Sequence, residues 1–273
     1  MPAARPTASP DPITSRRHPL LGRVRAAADG HGDDVLLEGP HLVGEALVAR
    51  GRVTLVLVAV TAANRPEVAS LLAHAAARDV PLHYAGDAAF ASASPARTPA
   101  GVLALASLSL STADQLAGGP DPLVTVAIGV QDPGNLGTLM RSSEAAGASG
   151  VAVLGASAHP FGWKALRGSM GSALRLPIVR EADAGAGVRA LQQRGLRLVA
   201  LSAAAAHGLY EVDLTGPLAV CAGAEGTGLS PEVLALCDTQ VRIPMCLPVE
   251  SLNVGVAASL VLFEAMRQRG SRA

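Results

Sequence analysis

Aromatic side chains are scarce in this 273-residue chain: Phe, Tyr and Trp together make up 2%. A surface that reads nucleic acid by stacking many bases on rings has little to build from, which argues against that class. Lysine is rarer still, with Lys164 alone. Cationic contacts therefore fall to arginine, whose planar fork suits phosphate. Formal net charge is zero, which argues against a nonspecific polyanion binder. Cysteine is limited to Cys221, Cys237 and Cys246, an odd number without metal-ligand spacing. That usage fits a reducing compartment, so a cytoplasmic location is expected. Cys221, inside an apolar run, reads as a small core residue. No apolar run reaches membrane-spanning length, so no membrane partner is expected. Two phosphate signatures are missing as well. No Gly-x-Gly-x-x-Gly follows the first strand and no Gly-Lys-Ser/Thr occurs, which removes the ordinary dinucleotide and P-loop readings.

What the chain does have is Ala, Val and Leu. Hydrophobic residues reach 49%, ample for buried cores. Two blocks of alternating strand and helix patterns follow a Pro/Ala/Ser/Thr-rich stretch at residues 1–15, which is expected to be a disordered tail. Residues 16–108 read as a small α/β sandwich. Residues 109–122, ending in Gly118-Gly-Pro-Asp-Pro122, read as a linker. From residue 123 onward, near-continuous apolar strands alternate with helices, the pattern of a parallel sheet covered on both faces. Arginine is placed unevenly. Arg16, Arg17, Arg23 and Arg25 fall in an acid-free window at residues 12–28. Lys164, Arg167, Arg175 and Arg180 fall in another at residues 145–180.

Three glycine- or proline-punctuated loops follow apolar strands in the second block. They are Asp132-Pro-Gly-Asn-Leu-Gly137, Ala222-Gly-Ala-Glu-Gly-Thr-Gly228 and Ile243-Pro-Met-Cys-Leu-Pro-Val-Glu-Ser-Leu-Asn253. Together they suggest a ligand cradle at the carboxyl ends of parallel strands. Asn135 and Gly137 are expected to stand before a helix that carries Arg141 in its first turns, so that Asn135 and Arg141 converge on one anionic or hydroxylic group. A turn Asn followed by a surface Arg fits the same spacing. Glu225 sits among small residues that let a backbone approach a ligand, and equally reads as an exposed loop carboxylate. Ser251 or Asn253 is placed to cap the long apolar helix that follows.

Taken in order and spacing, Asn135-x-Gly137-x-x-x-Arg141, Gly223-x-Glu225-x-x-Gly228-Leu229 and Ile243-Pro-Met245 through Ser251-Leu-Asn-Val254 resemble the three motifs of the SpoU (TrmH-type) RNA ribose methyltransferases of the SPOUT superfamily. The resemblance covers residues 123–267. Residues 16–108 are similar to that family's RNA substrate-binding domain, through Leu36-Leu-Glu-Gly-Pro-His-Leu-Val43 and Gly101-Val-Leu-Ala104. It implies a trefoil-knotted α/β catalytic domain at residues 123–273, a topology that periodicity does not reveal. It also implies a homodimer, S-adenosylmethionine as cofactor, no metal, and methyl transfer to a ribose 2′-hydroxyl in RNA. The expected substrate is 23S ribosomal RNA. Transfer RNA and a non-catalytic role in ribosome assembly are the alternatives, and an antibiotic-resistance role is a narrower version of the first. Cofactor contacts are expected from Ala222, Gly223, Ala224, Glu225, Gly226, Gly228, Ile243, Met245, Ser251, Leu252 and Asn253. The resemblance makes Arg141 the central catalytic residue. Because guanidinium rarely loses a proton, its physical role reads as binding a phosphate and stabilising developing alkoxide charge. Asn135, Glu225, Ser251 and Asn253 would orient the reactants. RNA contacts are expected at Arg16, Arg17, Arg23, Arg25, Lys164, Arg167 and Arg175. The chain departs from the family at Leu247, where a glycine is common, and at Gly255, often a serine.

Overall fold

Proline marks where several helices begin, and the first unit shows why. The computed structural model describes residues 11–49 and 52–270, and the chain divides into the units Met1–Ser109 and Leu110–Ala273. Helices α1 (Pro19–Ala28), α2 (Pro40–Val48) and α3 (Pro66–Ala76) each open on a proline. At the first helical position its fixed φ is pre-set and its missing N–H would have no partner anyway. Between them run β1 (Val35–Glu38) and β2 (Arg52–Ala59), followed by β3 (Leu82–Ala85), α4 (Asp87–Ala91) and β4 (Val102–Ser107). The sheet order is β1-β4-β2-β3, with β2 and β3 parallel and the other pairs antiparallel. The long apolar run of β2 takes an interior place, as its burial demands. Of the expected tail, residues 1–10 lie outside the described residues. Residues 11–15 are ordered, because Ile13 pairs with β3: its N–H donates to Tyr84 O at 2.8 Å and its carbonyl accepts from Gly86 N at 3.0 Å.

The second unit contains α5 (Ala113–Leu116), β5 (Leu123–Ile128), α6 (Pro133–Ala145), β6 (Gly150–Leu154), α7 (Trp163–Ser169), α8 (Ser172–Arg175), β7 (Ile178–Glu181) and α9 (Ala184–Gln192). It continues through β8 (Arg197–Leu201), β9 (His207–Gly208), β10 (Leu218–Ala222), α10 (Pro231–Leu236), β11 (Thr239–Arg242) and α11 (Val254–Gly270). The strands form one seven-stranded sheet, ordered β7-β6-β5-β10-β8-β11-β9, in which every neighbouring pair is parallel. All carboxyl ends therefore share one edge. Alternation along β10 divides the core: Ala219 and Cys221 face the layer of Val188, Leu191 and Val233, while Leu218 and Val220 face Val261, Leu262 and Ala265 of α11. Cys221 is fully buried, and hydrogen bonding to Cys237 together with burial pushes its thiol pKa up.

Residues 110–122 are not a free linker. Thr112 and Gln115 form a capping box for α5, Leu116 is buried in the sheet's core, and Ser111 N–H donates to Ile178 O at 2.7 Å. The Ser/Thr/Gly/Pro composition that suggested a linker supplies turns and caps within the second unit. The short elements α4, α5, α8, β7 and β9 carry too few residues to declare a period, and periodicity had not indicated them.

Candidate active site

At the carboxyl edge, the connection after β5 becomes α6 at once. Asp132 is its cap, accepting from Asn135 N at 2.8 Å, and Pro133 is its first residue. The helix thus begins earlier than the glycines suggested, because Pro133 favours a helix start and Gly137 serves packing. A Cβ on Gly137 would lie 2.7 Å from Ala165 O and 2.8 Å from Gly168 Cα of α7. Asn135 is in the first turn, while Arg141 is roughly two and a half turns from the cap rather than at the helix start.

Three side chains from three loops meet. Asn135 Nδ2 donates to Glu225 Oε1 at 2.6 Å, and Asn253 Nδ2 donates to Asn135 Oδ1 at 2.8 Å. Asn253 Oδ1 in turn accepts from Gly255 N at 2.9 Å and Val256 N at 3.3 Å, capping α11. Asn253 is thus both the cap and a member of the cluster. The Glu225 loop closes on itself, with Gly228 N–H donating to Ala224 O at 2.9 Å. A Cβ on Gly223 would stand 2.3 Å from Gly228 C, so glycine is required there. Gly226 and Gly228 hold φ of 85° and 68°, which glycine tolerates without strain.

Beside this cluster is a pocket of about 140 Å³. From the expected set, Ile243, Met245, Ser251 and Leu252 line it, joined by Glu250. Leu201, Ser202 and Ala203, at the end of β8, line it too and had not been anticipated. Their loop carries no glycine, and only the spatial order β10-β8-β11 brings it to the site. Leu247 is 90% exposed and absent from the lining. At Gly255 a Cβ would lie 3.0 Å from Thr138 Cγ2, so the small residue lets α11 approach α6. The contact is reinforced where Ser259 Oγ donates to Ser142 Oγ at 2.6 Å.

Arg141 is exposed on α6, and among the described residues no hydrogen bond or ion pair engages it or joins it to Asn135. Two of the expected RNA-binding arginines are already committed. Arg23 grips Asp34 through Nε at 2.5 Å and Nη2 at 2.8 Å. Arg175 grips Glu144 at 2.6 and 2.8 Å, holding that carboxyl below its ordinary pKa. Windows free of acid in sequence are not free of acid in space. Arg16, Arg17, Lys164 and Arg167 are exposed, whereas Arg25 is half-buried and its Nη1 donates to Arg16 O at 3.3 Å. Among the described residues, no group of three or more His, Cys, Asp or Glu is arranged to hold a metal ion, and no helix is long and apolar enough to cross a membrane.

The chain is similar in sequence and fold to known proteins. A 23S rRNA (guanosine-2′-O-)-methyltransferase, RlmB, of Photobacterium profundum is 41% identical over 154 residues, 56% of this chain and 63% of that protein. The chain thus spans less than two thirds of that relative's length. An uncharacterized tRNA/rRNA methyltransferase of Synechocystis sp. is 34% identical over 265 residues, 94% of each chain. The AdoMet-bound rRNA methyltransferase structure from Sinorhizobium meliloti superposes with a TM-score of 0.83 at 26% identity, over 94% of this chain and 97% of that one. Parallel sheet and likeness are both consistent with the knotted SPOUT topology that the resemblance implied. The family model for the SpoU rRNA methylases matches residues 122–263, and the chain belongs to that family.

Proposed function

We propose that this protein is an S-adenosylmethionine-dependent methyltransferase acting on a ribose 2′-hydroxyl of ribosomal RNA in the cytoplasm. The observation that carries the reading is the hydrogen-bonded row Glu225–Asn135–Asn253, which joins all three motif loops beside an apolar pocket. The residues present fit the cofactor. Leu201, Ile243, Met245 and Leu252 offer apolar walls for its adenosyl part, and Ser202, Glu250 and Ser251 offer polar groups in the same pocket. When bound, S-adenosylmethionine supplies a methyl group activated by a sulfonium.

The chain's own residues would do the rest. Arg141, cationic and uncommitted, binds the phosphate beside the target ribose and stabilises negative charge as the 2′-oxygen gives up its proton. Asn135, locked between Glu225 and Asn253, and Ser251 orient the reactants, since positioning supplies much of the barrier reduction in a displacement. Met1–Ser109 would be the RNA substrate-binding domain, with Arg16, Arg17 and Arg25 on its RNA face and Lys164 and Arg167 on that of the second unit. The active species would be a homodimer.

The test is transfer of labelled methyl from S-adenosylmethionine to unmodified 23S ribosomal RNA, with transfer RNA as the competing substrate. Mapping 2′-O-methyl sites in cells with and without the protein then identifies the nucleotide. No transfer to either RNA by folded, cofactor-binding protein would overturn the proposal. Transfer to transfer RNA alone would replace the substrate.

A further inference from the structure

The few aromatic residues of the second unit are not spread evenly. Phe161 and Trp163, with His159 just before them, share the connection from β6 to α7. That connection leaves the carboxyl edge of the sheet and is tied to the end of β5. Ala158 N–H donates to Val130 O at 2.8 Å, and Val130 N–H donates to the buried Ser157 Oγ at 3.1 Å. Val130 lies two residues before Asp132, the cap of the helix that carries Asn135 and Arg141. Phe161 is buried and anchors the loop. Its ring sits 6.0 Å from that of His159, and its N–H donates to His159 Nδ1 at 3.1 Å. Trp163 does not share that burial. It opens α7 partly exposed, with Lys164 Nζ 5.6 Å from its ring centroid. Helix α7 docks on α6 through the glycine crossing at Gly137 and Gly168, so the indole rides on a support fixed to the helix of Arg141.

We propose that Trp163 is a stacking platform for a nucleobase of the RNA substrate adjacent to the methylated nucleotide, with Lys164 moving from the ring to that nucleotide's phosphate. This rests on the RNA methyltransferase reading above. A partly exposed indole with a cation beside its ring offers what a base and its phosphate need. Charge favours the same partner. Lys164 and Arg180 are exposed beyond this connection, Arg180 near His159, and the preceding Glu144 is held by Arg175. Burial, with the nearby Arg180 charge second, lowers the His159 pKa. Phe161 anchors the loop, whereas Trp163 at the start of α7 stays partly exposed.

Trp163 is the chain's single tryptophan, so its fluorescence reports on this ring alone. Titrating unmodified 23S ribosomal RNA into the protein with S-adenosylhomocysteine should quench that emission saturably. Trp163→Ala should raise KM for RNA about tenfold, with S-adenosylhomocysteine affinity unchanged, and Trp163→Phe should restore most of the loss. If the wild type binds and methylates RNA while the emission stays constant and Trp163→Ala keeps its KM, stacking is refuted and the methyltransferase reading stands. If the wild type neither binds nor methylates RNA, both fall. Should Trp163→Ala misfold, the wild-type quench and Trp163→Phe decide the matter.

Discussion

Asn135 donates through Nδ2 to Glu225 and accepts through Oδ1 from Asn253, so its amide has one workable orientation. Turning it over would set oxygen against oxygen and nitrogen against nitrogen. Asn135→Asp preserves shape but places a second acceptor-only group 2.6 Å from Glu225 Oε1. We expect kcat for methyl transfer to fall on the order of a hundredfold or more, as for loss of one preorganised group. Lowering the pH should recover part of the loss, because two adjacent carboxylates raise a pKa and share a proton. A flat pH dependence in that variant would show that the Asn135–Glu225 contact is not used. At Arg141 the exchange to Ala should reduce turnover by a similar factor with S-adenosylhomocysteine binding intact. Near-normal turnover would mean the catalytic cation lies elsewhere. The identities of Asn135, Glu225 and Asn253 were legible as polar residues in glycine- or proline-punctuated loops. That they bond to one another was not, because sequence separations of 90 and 118 residues carry no sign of contact. Nor did acid-free windows warn of Asp34 and Glu144, which reach Arg23 and Arg175 from outside them.

Helix α6 tests how much a single glycine fixes an element. Alanine is favoured over glycine inside a helix by about 1 kcal/mol. At Gly137 the added Cβ meets backbone atoms of α7 at 2.7–2.9 Å, which cannot swing away as a flexible side chain does. Overpacking of this kind costs roughly 1–3 kcal/mol. The clash therefore outweighs the propensity, and Gly137→Ala should lower Tm in thermal unfolding; a raised Tm would mean the helices separate freely. Helix α11 offers a pH test. Glu264 accepts from Arg267 and Gln268, and the Arg267 bonds hold its pKa at about 2 instead of 4.5. Gln268 also reaches Val212 O and Leu214 N, so the cluster ties α11 to the neighbouring segment. A depressed carboxyl pKa contributes stability that is complete above pH 4.5 and lost as pH falls toward 2. Wild-type Tm should drop through that window more steeply than that of Glu264→Gln; equal slopes would remove Glu264 from the account. Long strands and helices of the second unit were legible in period and punctuation. The true start of α6 was masked by Pro133, Gly134 and Gly137, which read as breakers when one is a helix opener and another a packing site.

On the scale of the whole molecule, α11 has more apolar surface than one chain covers. Val261, Leu262 and Ala265 pack on the sheet, whereas Val256, Leu260, Phe263 and Met266 stay 40–46% exposed at helical spacing. Burying such a stripe against a second copy would remove it from water, the main drive for association. Light scattering at micromolar concentration should give twice the 27.4 kDa chain mass, and Phe263→Arg should shift the population toward monomer. A wild-type monomer with full activity would overturn the dimer. Strand order was the level least visible in sequence: β8 sits between β10 and β11 although it precedes both in the chain, and this brought Leu201–Ala203 to the pocket unforeseen. The row of Glu225, Asn135 and Asn253 also has a meaning in time. During synthesis Asn135 must wait for 118 further residues before Asn253 leaves the ribosome. Until then the row is incomplete, so the three motif loops become joined only after residue 253 has been made.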